Sequence, residues 1–131
     1  MRKLLLLVAC LSLCYAPDCR AMLKSESLLS YCQVAKKTVW TDNEMIQLQF
    51  CNGYTQGISD AIQLNEAMVD AHGRLLHKQT FCLPDDGIST TEAALVYLKY
   101  MDAHPEELHE EASVTVWNAL TDAYRCTAKP K

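Results

Sequence analysis

The chain has 131 residues, 50% of them hydrophobic and 21% charged, with a formal net charge of −4 and seven cysteines. A length of this order allows one domain with a modest core. The acidic balance and the lack of a basic stripe exclude nucleic acid and anionic membrane surfaces as natural partners, and favour a basic or neutral protein surface instead.

The first element is a leader. Met1-Arg2-Lys3 precede Leu4-Leu5-Leu6-Leu7-Val8-Ala9-Cys10-Leu11-Ser12-Leu13-Cys14-Tyr15-Ala16, the charged start and apolar core of a secretory signal peptide. The run is shorter than the ~20 residues a spanning helix needs. Cleavage after Ala16 would leave Pro17 as the first mature residue, so cleavage after Ala21 is expected, with residues 1–21 removed and 22–131 forming the mature domain. Leu7-Val8-Ala9-Cys10 also fits a lipobox, which keeps lipidation of Cys10 open as an alternative. The mature chain holds nine Lys/Arg against fifteen Asp/Glu, a balance of −6. Export also places its thiols where disulfides persist.

Four helices follow. The first is expected from about Lys24 to Lys37, with Leu28, Leu29, Cys32 and Ala35 near one face. The second opens on Thr41-Asp42-Asn43-Glu44, a capping box in which Thr41 and Glu44 each satisfy an orphan backbone group. It should run through Ile46, Phe50, Tyr54, Ile58, Ala61 and Met68 to about Ala71, where His72-Gly73 ends it. A loop from His72 to Ile88 carries Phe81-Cys82-Leu83-Pro84-Asp85-Asp86-Gly87. The third helix begins at a second box, Ser89-Thr90-Thr91-Glu92, and carries Ala94, Leu95, Leu98 and Met101 to the break at His104-Pro105. Pro105, with Glu106 and Glu107 behind it, marks the start of the fourth, whose inward face reads Leu108, Ala112, Val116, Ala119, Leu120 and Ala123. No strand is expected, and the fold class is all-α: a small four-to-five-helix bundle.

After the leader's three cysteines are removed, Cys32, Cys51, Cys82 and Cys126 remain, enough for two disulfides and three pairings. The first two helices form a hairpin with its turn near residues 38–41, so Cys32 and Cys51 face each other across it. Cys82 precedes the third helix and Cys126 closes the fourth, ends that meet in an antiparallel pair. The expected pairs are Cys32–Cys51 and Cys82–Cys126, each contributing ~2–4 kcal/mol.

Gly53 and Gly57 lie four apart in the second helix and cost ~1 kcal/mol each against alanine. Close packing inside the monomer is the expected reason, and contact with a partner or second copy the alternative. Trp117 and Tyr124 on the fourth helix are read as core, with a dimer face as the alternative. The histidines (His72, His77, His104, His109) lack zinc-ligand spacing even with Glu106 and Glu110 nearby. No serine sits in a nucleophile elbow. No metal, cofactor or enzymatic activity is therefore expected. The pinned loop is the candidate binding feature, since long ordered loops are often functional, although a passive crossover would look the same. Asp85, Asp86 and Gly87 are the candidate contacts.

Cys51-Asn52-Gly53-Tyr54-Thr55-Gln56-Gly57-Ile58-Ser59-Asp60-Ala61 resembles the Cys-x-Gly-Tyr-x-x-Gly-x-x-Asp-Ala signature of the Rap/Tai immunity proteins. Phe81-Cys82-Leu83-Pro84 is similar to their Phe-Cys-x-Pro element. Tyr97-Leu98-Lys99-Tyr100, His104-Pro105-Glu106-Glu107-Leu108-His109 and Ala119-Leu120…Ala123-Tyr124-Arg125-Cys126 resemble their C-terminal half. The resemblance implies a helical, exported, often dimeric periplasmic protein. Such a protein neutralises a type VI secretion amidase by filling its cleft and denying peptidoglycan access to a Cys/His pair. Gly53, Tyr54, Gly57, Asp60, Pro84, His104 and Pro105 are then structural motif positions, not contacts. Arg125 departs from the proline many relatives carry before the last cysteine. A helical periplasmic acid-stress chaperone resembling the HdeA-like proteins is the alternative, with histidines and carboxylates as its titrating groups.

Overall fold

The computed structural model describes residues 22–126; the leader and its cleavage point lie outside them. Four α-helices make the bundle: α1 (Ser25–Cys32), α2 (Asp42–Glu66), α3 (Thr90–Ala103) and α4 (Ala112–Ala123). Short 3-10 turns at Gln33–Lys36 and Pro105–His109 extend α1 and precede α4. The described residues hold no strand, only isolated bridges. No helix among them is long and apolar enough to cross a membrane.

The capping box forms as the sequence requires. Thr41 Oγ1 accepts from the Glu44 amide at 3.3 Å, and the Glu44 carboxylate accepts from the Thr41 amide at 3.0 Å. The Lys37 ammonium also donates to Glu44 and, with the Thr41 contacts, pulls its carboxyl down to about 2. The Trp40 indole donates to the Val34 carbonyl at 2.8 Å and closes the turn between α1 and α2. Across that hairpin Cys32 bonds Cys51, and at the far end of the bundle Cys82 bonds Cys126. Both pairings match those drawn from helix geometry.

Helix limits differ from expectation at two places. The fourth helix begins at Ala112, not Pro105. The N-terminal segment docks there: the Ser25 amide donates to the Glu110 carbonyl at 3.0 Å and the Ala112 amide to the Leu23 carbonyl at 2.8 Å. Those bonds draw backbone groups out of a continuous helical ladder, so Pro105–His109 becomes a separate turn. The second helix stops at Glu66, not near Ala71. Its last carboxylate turns into the following loop, and residues beyond it fold back on themselves.

The core gathers Leu28, Ile62, Ala93, Tyr97, Leu98, Val116 and Leu120, all fully buried or nearly so. A polar knot lies among them. Tyr97 Oη donates to the Ser25 carbonyl at 3.1 Å, and Ser25 Oγ shares a 2.8 Å hydrogen bond with Thr115 Oγ1. Buried polar groups of this kind are tolerated only when paired, which pins α1, α3 and α4 in one register. Of the expected inward face of the fourth helix, Ala112, Val116, Ala119 and Leu120 are buried, Leu108 is half-buried and Ala123 is exposed.

Candidate partner-binding site

The connection from α2 to α3 is held at three points. First, the Glu66 carboxylate, buried and without a basic partner among the described residues, accepts from the Thr80 amide at 2.9 Å, the Thr80 hydroxyl at 2.6 Å and the Phe81 amide at 3.0 Å. Burial pushes its carboxyl up, but these donors outweigh burial and hold it below the ordinary value. Second, residues 80–82 pair with the end of α4: the Cys82 amide donates to the Tyr124 carbonyl at 2.8 Å and the Cys126 amide to the Thr80 carbonyl at 2.9 Å. Phe81 is buried edge-on to Tyr124, with ring centroids 6.1 Å apart. Third, the Cys82–Cys126 disulfide closes the same junction covalently. Arg125, the departure from the family pattern noted in the sequence, lies in this pairing, and its guanidinium meets Asp122 at 2.9 Å.

Two exposed tips project from this clamp. One is the turn after Cys82, where the Gly87 amide donates to the Pro84 carbonyl at 2.8 Å and Gly87 takes a left-handed φ of 72°. Asp85 and Asp86 stand exposed on it, with no salt bridge to a described basic residue. The other tip escaped the sequence reading. Residues 68–76 form a small hairpin bridged at Val69 and Leu75, with the Leu76 amide on the Met68 carbonyl at 2.9 Å. Asp70 organises it, accepting from the His72 amide at 2.8 Å, the Arg74 amide at 3.0 Å and Arg74 Nε at 2.9 Å. The Arg74 donors, then His72, hold the Asp70 carboxyl below its usual range. Met68, Val69, Leu75 and Leu76 remain about half exposed around this hydrogen-bonded turn. Asp70-Ala71-His72-Gly73-Arg74 between two apolar pairs was the available signal, because Asp seeds such turns and Gly supplies the positive φ.

The second helix presents the other uncovered surface. Its inner face is Leu48, Cys51, Asn52, Thr55, Ser59, Ile62 and Glu66. Three large apolar residues face outward nonetheless: Ile46 is 69% exposed, Phe50 45% and Leu64 71%. Gly53 and Gly57 are exposed too, and a Cβ on either would meet nothing within 4 Å. Close packing among the described residues therefore does not account for them, which corrects the expectation. Tyr54 is half-buried beside Phe50, and Asp60 is exposed, accepting from Gln56 at 2.8 Å. Trp117, expected in the core, is 36% exposed and lines a shallow groove with Ile58, Ala61 and Val114.

His104 stacks on Tyr100 at 4.2 Å, and its Nδ1 lies 3.2 Å from Glu106. Glu107 accepts the Tyr100 hydroxyl at 3.0 Å. His104, Glu106 and Glu107 approach one another closely enough to be metal ligands, but they are exposed or half-exposed and already engaged with neighbours. Pro105 opens the 3-10 turn behind them. His72, His77 and His109 lie apart, on the hairpin, the loop after it and the 3-10 turn.

A clamped loop with exposed tips, set on a disulfide-braced helical bundle beside an uncovered apolar helix face, defines a small protein built to bind other proteins. Residues 24–126 match the family of Rap1a immunity proteins, and the chain belongs to that family. Its members' role is immunity, which implies a partner effector protein. No curated protein and no solved structure matches the chain.

Proposed function

We propose that this is a periplasmic immunity protein, exported by the leader at 1–21, that inhibits a type VI secretion peptidoglycan amidase by occluding its catalytic cleft. It acts as a binding protein without catalysis of its own, and as a homodimer. The observation that carries the reading is the clamp on the α2–α3 connection, where Glu66, the 80–82 pairing and Cys82–Cys126 anchor the base of both tips before a partner arrives. A preorganised protrusion loses little entropy on binding, so its contacts translate into affinity. Asp85, Asp86 and Gly87 are the contacts of this reading, their negative charge suited to a basic surface, while Leu75 and Leu76 supply apolar contact beside them.

Co-expression with a periplasm-directed cognate amidase tests this. The wild type should protect cells from lysis, and Asp85→Lys/Asp86→Lys should protect at least tenfold less. Full protection by that variant and by Leu75→Ser/Leu76→Ser would exclude both tips as contacts. One observation favours the acid-chaperone reading: Glu66 holds Phe81 in place, so protonating that carboxyl would expose an aromatic side chain. Suppression of client aggregation below the ordinary carboxyl range, with no binding to any amidase, would favour it instead.

A further inference from the structure

We propose that Cys82–Cys126 is a thiol–disulfide exchange site, opened by the Cys-x-x-Cys dithiol of a thioredoxin-fold oxidoreductase while Cys32–Cys51 stays closed. Such a site works independently of which effector is bound. The two bonds sit in opposite surroundings. Cys32 and Cys51 lie inside α1 and α2 with no solvent exposure, packed into the core. A thiolate must touch one sulfur of a disulfide to open it, so this bond yields only when the bundle does. Cys82 is exposed and Cys126 half-buried. Cys82 also belongs to no helix, standing between the buried Phe81 and the turn at Pro84, so no helix has to unwind for another active site to reach it.

The exchange balances between the two dithiols. A thiolate of the oxidoreductase attacks Cys82 Sγ, the exposed end, forming an intermolecular disulfide and expelling Cys126 as a thiolate, which takes up a proton. The second thiolate of the oxidoreductase then attacks its own partner sulfur in that mixed bond and releases Cys82, which is protonated in turn. Two electrons and two protons pass to this chain, and the oxidoreductase keeps the disulfide. The surroundings suit a bond that opens without unfolding. The Cys82 amide on the Tyr124 carbonyl, the Cys126 amide on the Thr80 carbonyl and the Glu66 contacts do not depend on the sulfur bridge. The turn beyond Cys82 is closed by its own bond, Gly87 amide to Pro84 carbonyl, so the bridge is its covalent anchor to the end of α4. The bridge also closes the longer loop, 44 residues against 19, and its opening returns the more chain freedom. Reduction therefore loosens the tip and the segment at Cys126 while the core and Cys32–Cys51 hold.

Reduction of the purified, fully oxidised protein without denaturant tests this, with thioredoxin, thioredoxin reductase and NADPH as the probe. One equivalent of NADPH should be consumed, and alkylation with peptide mapping should place the new thiols at Cys82 and Cys126 alone. Opening of Cys32–Cys51 should be at least tenfold slower. By deuterium exchange, the reduced protein should keep the protection of Leu98 and Leu120, while the Cys82 and Cys126 amides exchange at least tenfold faster. The Cys82→Ser/Cys126→Ser variant should reproduce that exchange pattern with no reductant present. Consumption of two equivalents, consumption of none, or new thiols at Cys32 and Cys51 overturns the proposal. So does loss of protection at Leu98 and Leu120 on reduction, because the bond would then be a brace the fold cannot spare.

Discussion

Replacing Glu66 by alanine removes the acceptor that ties the α2–α3 connection to the end of α2. Three donors converge on that carboxylate, and their environments differ. Thr80 is exposed, so water can take over its amide and hydroxyl at small cost. The Phe81 amide belongs to a buried residue, and leaving it unpaired costs ~1–3 kcal/mol. Adding the loss of charge-assisted bonds brings the expected destabilisation to about 2–4 kcal/mol. For a domain of this size that lowers Tm by roughly 10–20 °C. Thermal unfolding followed by circular dichroism, with both disulfides intact, measures it. The same carboxyl has a pH signature. Its folded pKa lies below the ordinary 4.5, so the unfolded chain binds the proton first as pH falls. Its stabilisation is complete above about 4.5 and is lost as pH drops through the folded pKa. Glu66→Gln should flatten that acid limb while keeping the side chain's volume. A Glu66→Ala protein that melts within ~1 °C of wild type would refute the clamp. An unchanged acid limb in Glu66→Gln would refute the electrostatic account.

Removing the Cys82–Cys126 disulfide as a double serine variant opens a 44-residue loop and should cost ~4 kcal/mol by chain entropy, against ~3 for the 19-residue Cys32–Cys51 loop; denaturant midpoints rank the two. The first loss should also weaken effector binding more than the second, because Cys82 sits at the base of both tips. Thr41→Ala should cost ~1 kcal/mol through loss of the α2 cap, seen in urea unfolding. Gly53→Ala should stabilise the dilute monomer by ~1 kcal/mol, since the position is open and helical. A destabilised Gly53→Ala monomer would show that the face is packed after all.

Much of the bundle was legible because its signals are local. Thr41 and Glu44 lie one turn apart and cap the helix whatever surrounds them. The disulfide pairs followed from helix order and turn length, which fix which chain ends meet. Ser89 shows the limit of such local signals. It caps α3 as expected, accepting from the Glu92 amide at 3.1 Å, but the Glu92 carboxylate accepts the Tyr124 hydroxyl at 3.0 Å. A distant residue redirected half of a local motif.

By itself the sequence determined the helical class, the caps and the sulfur pairing, all set by neighbours in the chain or by the order of elements. Only the tertiary structure decided which side of α2 is inside. The reading along the chain follows Ile46, Phe50, Tyr54, Ile58, Ala61 and Met68, but Ile46, Phe50, Ala61 and Met68 are exposed and the interior takes Leu48, Cys51, Thr55, Ser59 and Ile62. Small side chains suit a helix tied by a disulfide and packed against α3, a helix that itself buries the small Ala93 and Ala94 completely. Burial depends on what another helix offers across the gap, and periodicity along one helix does not contain that information.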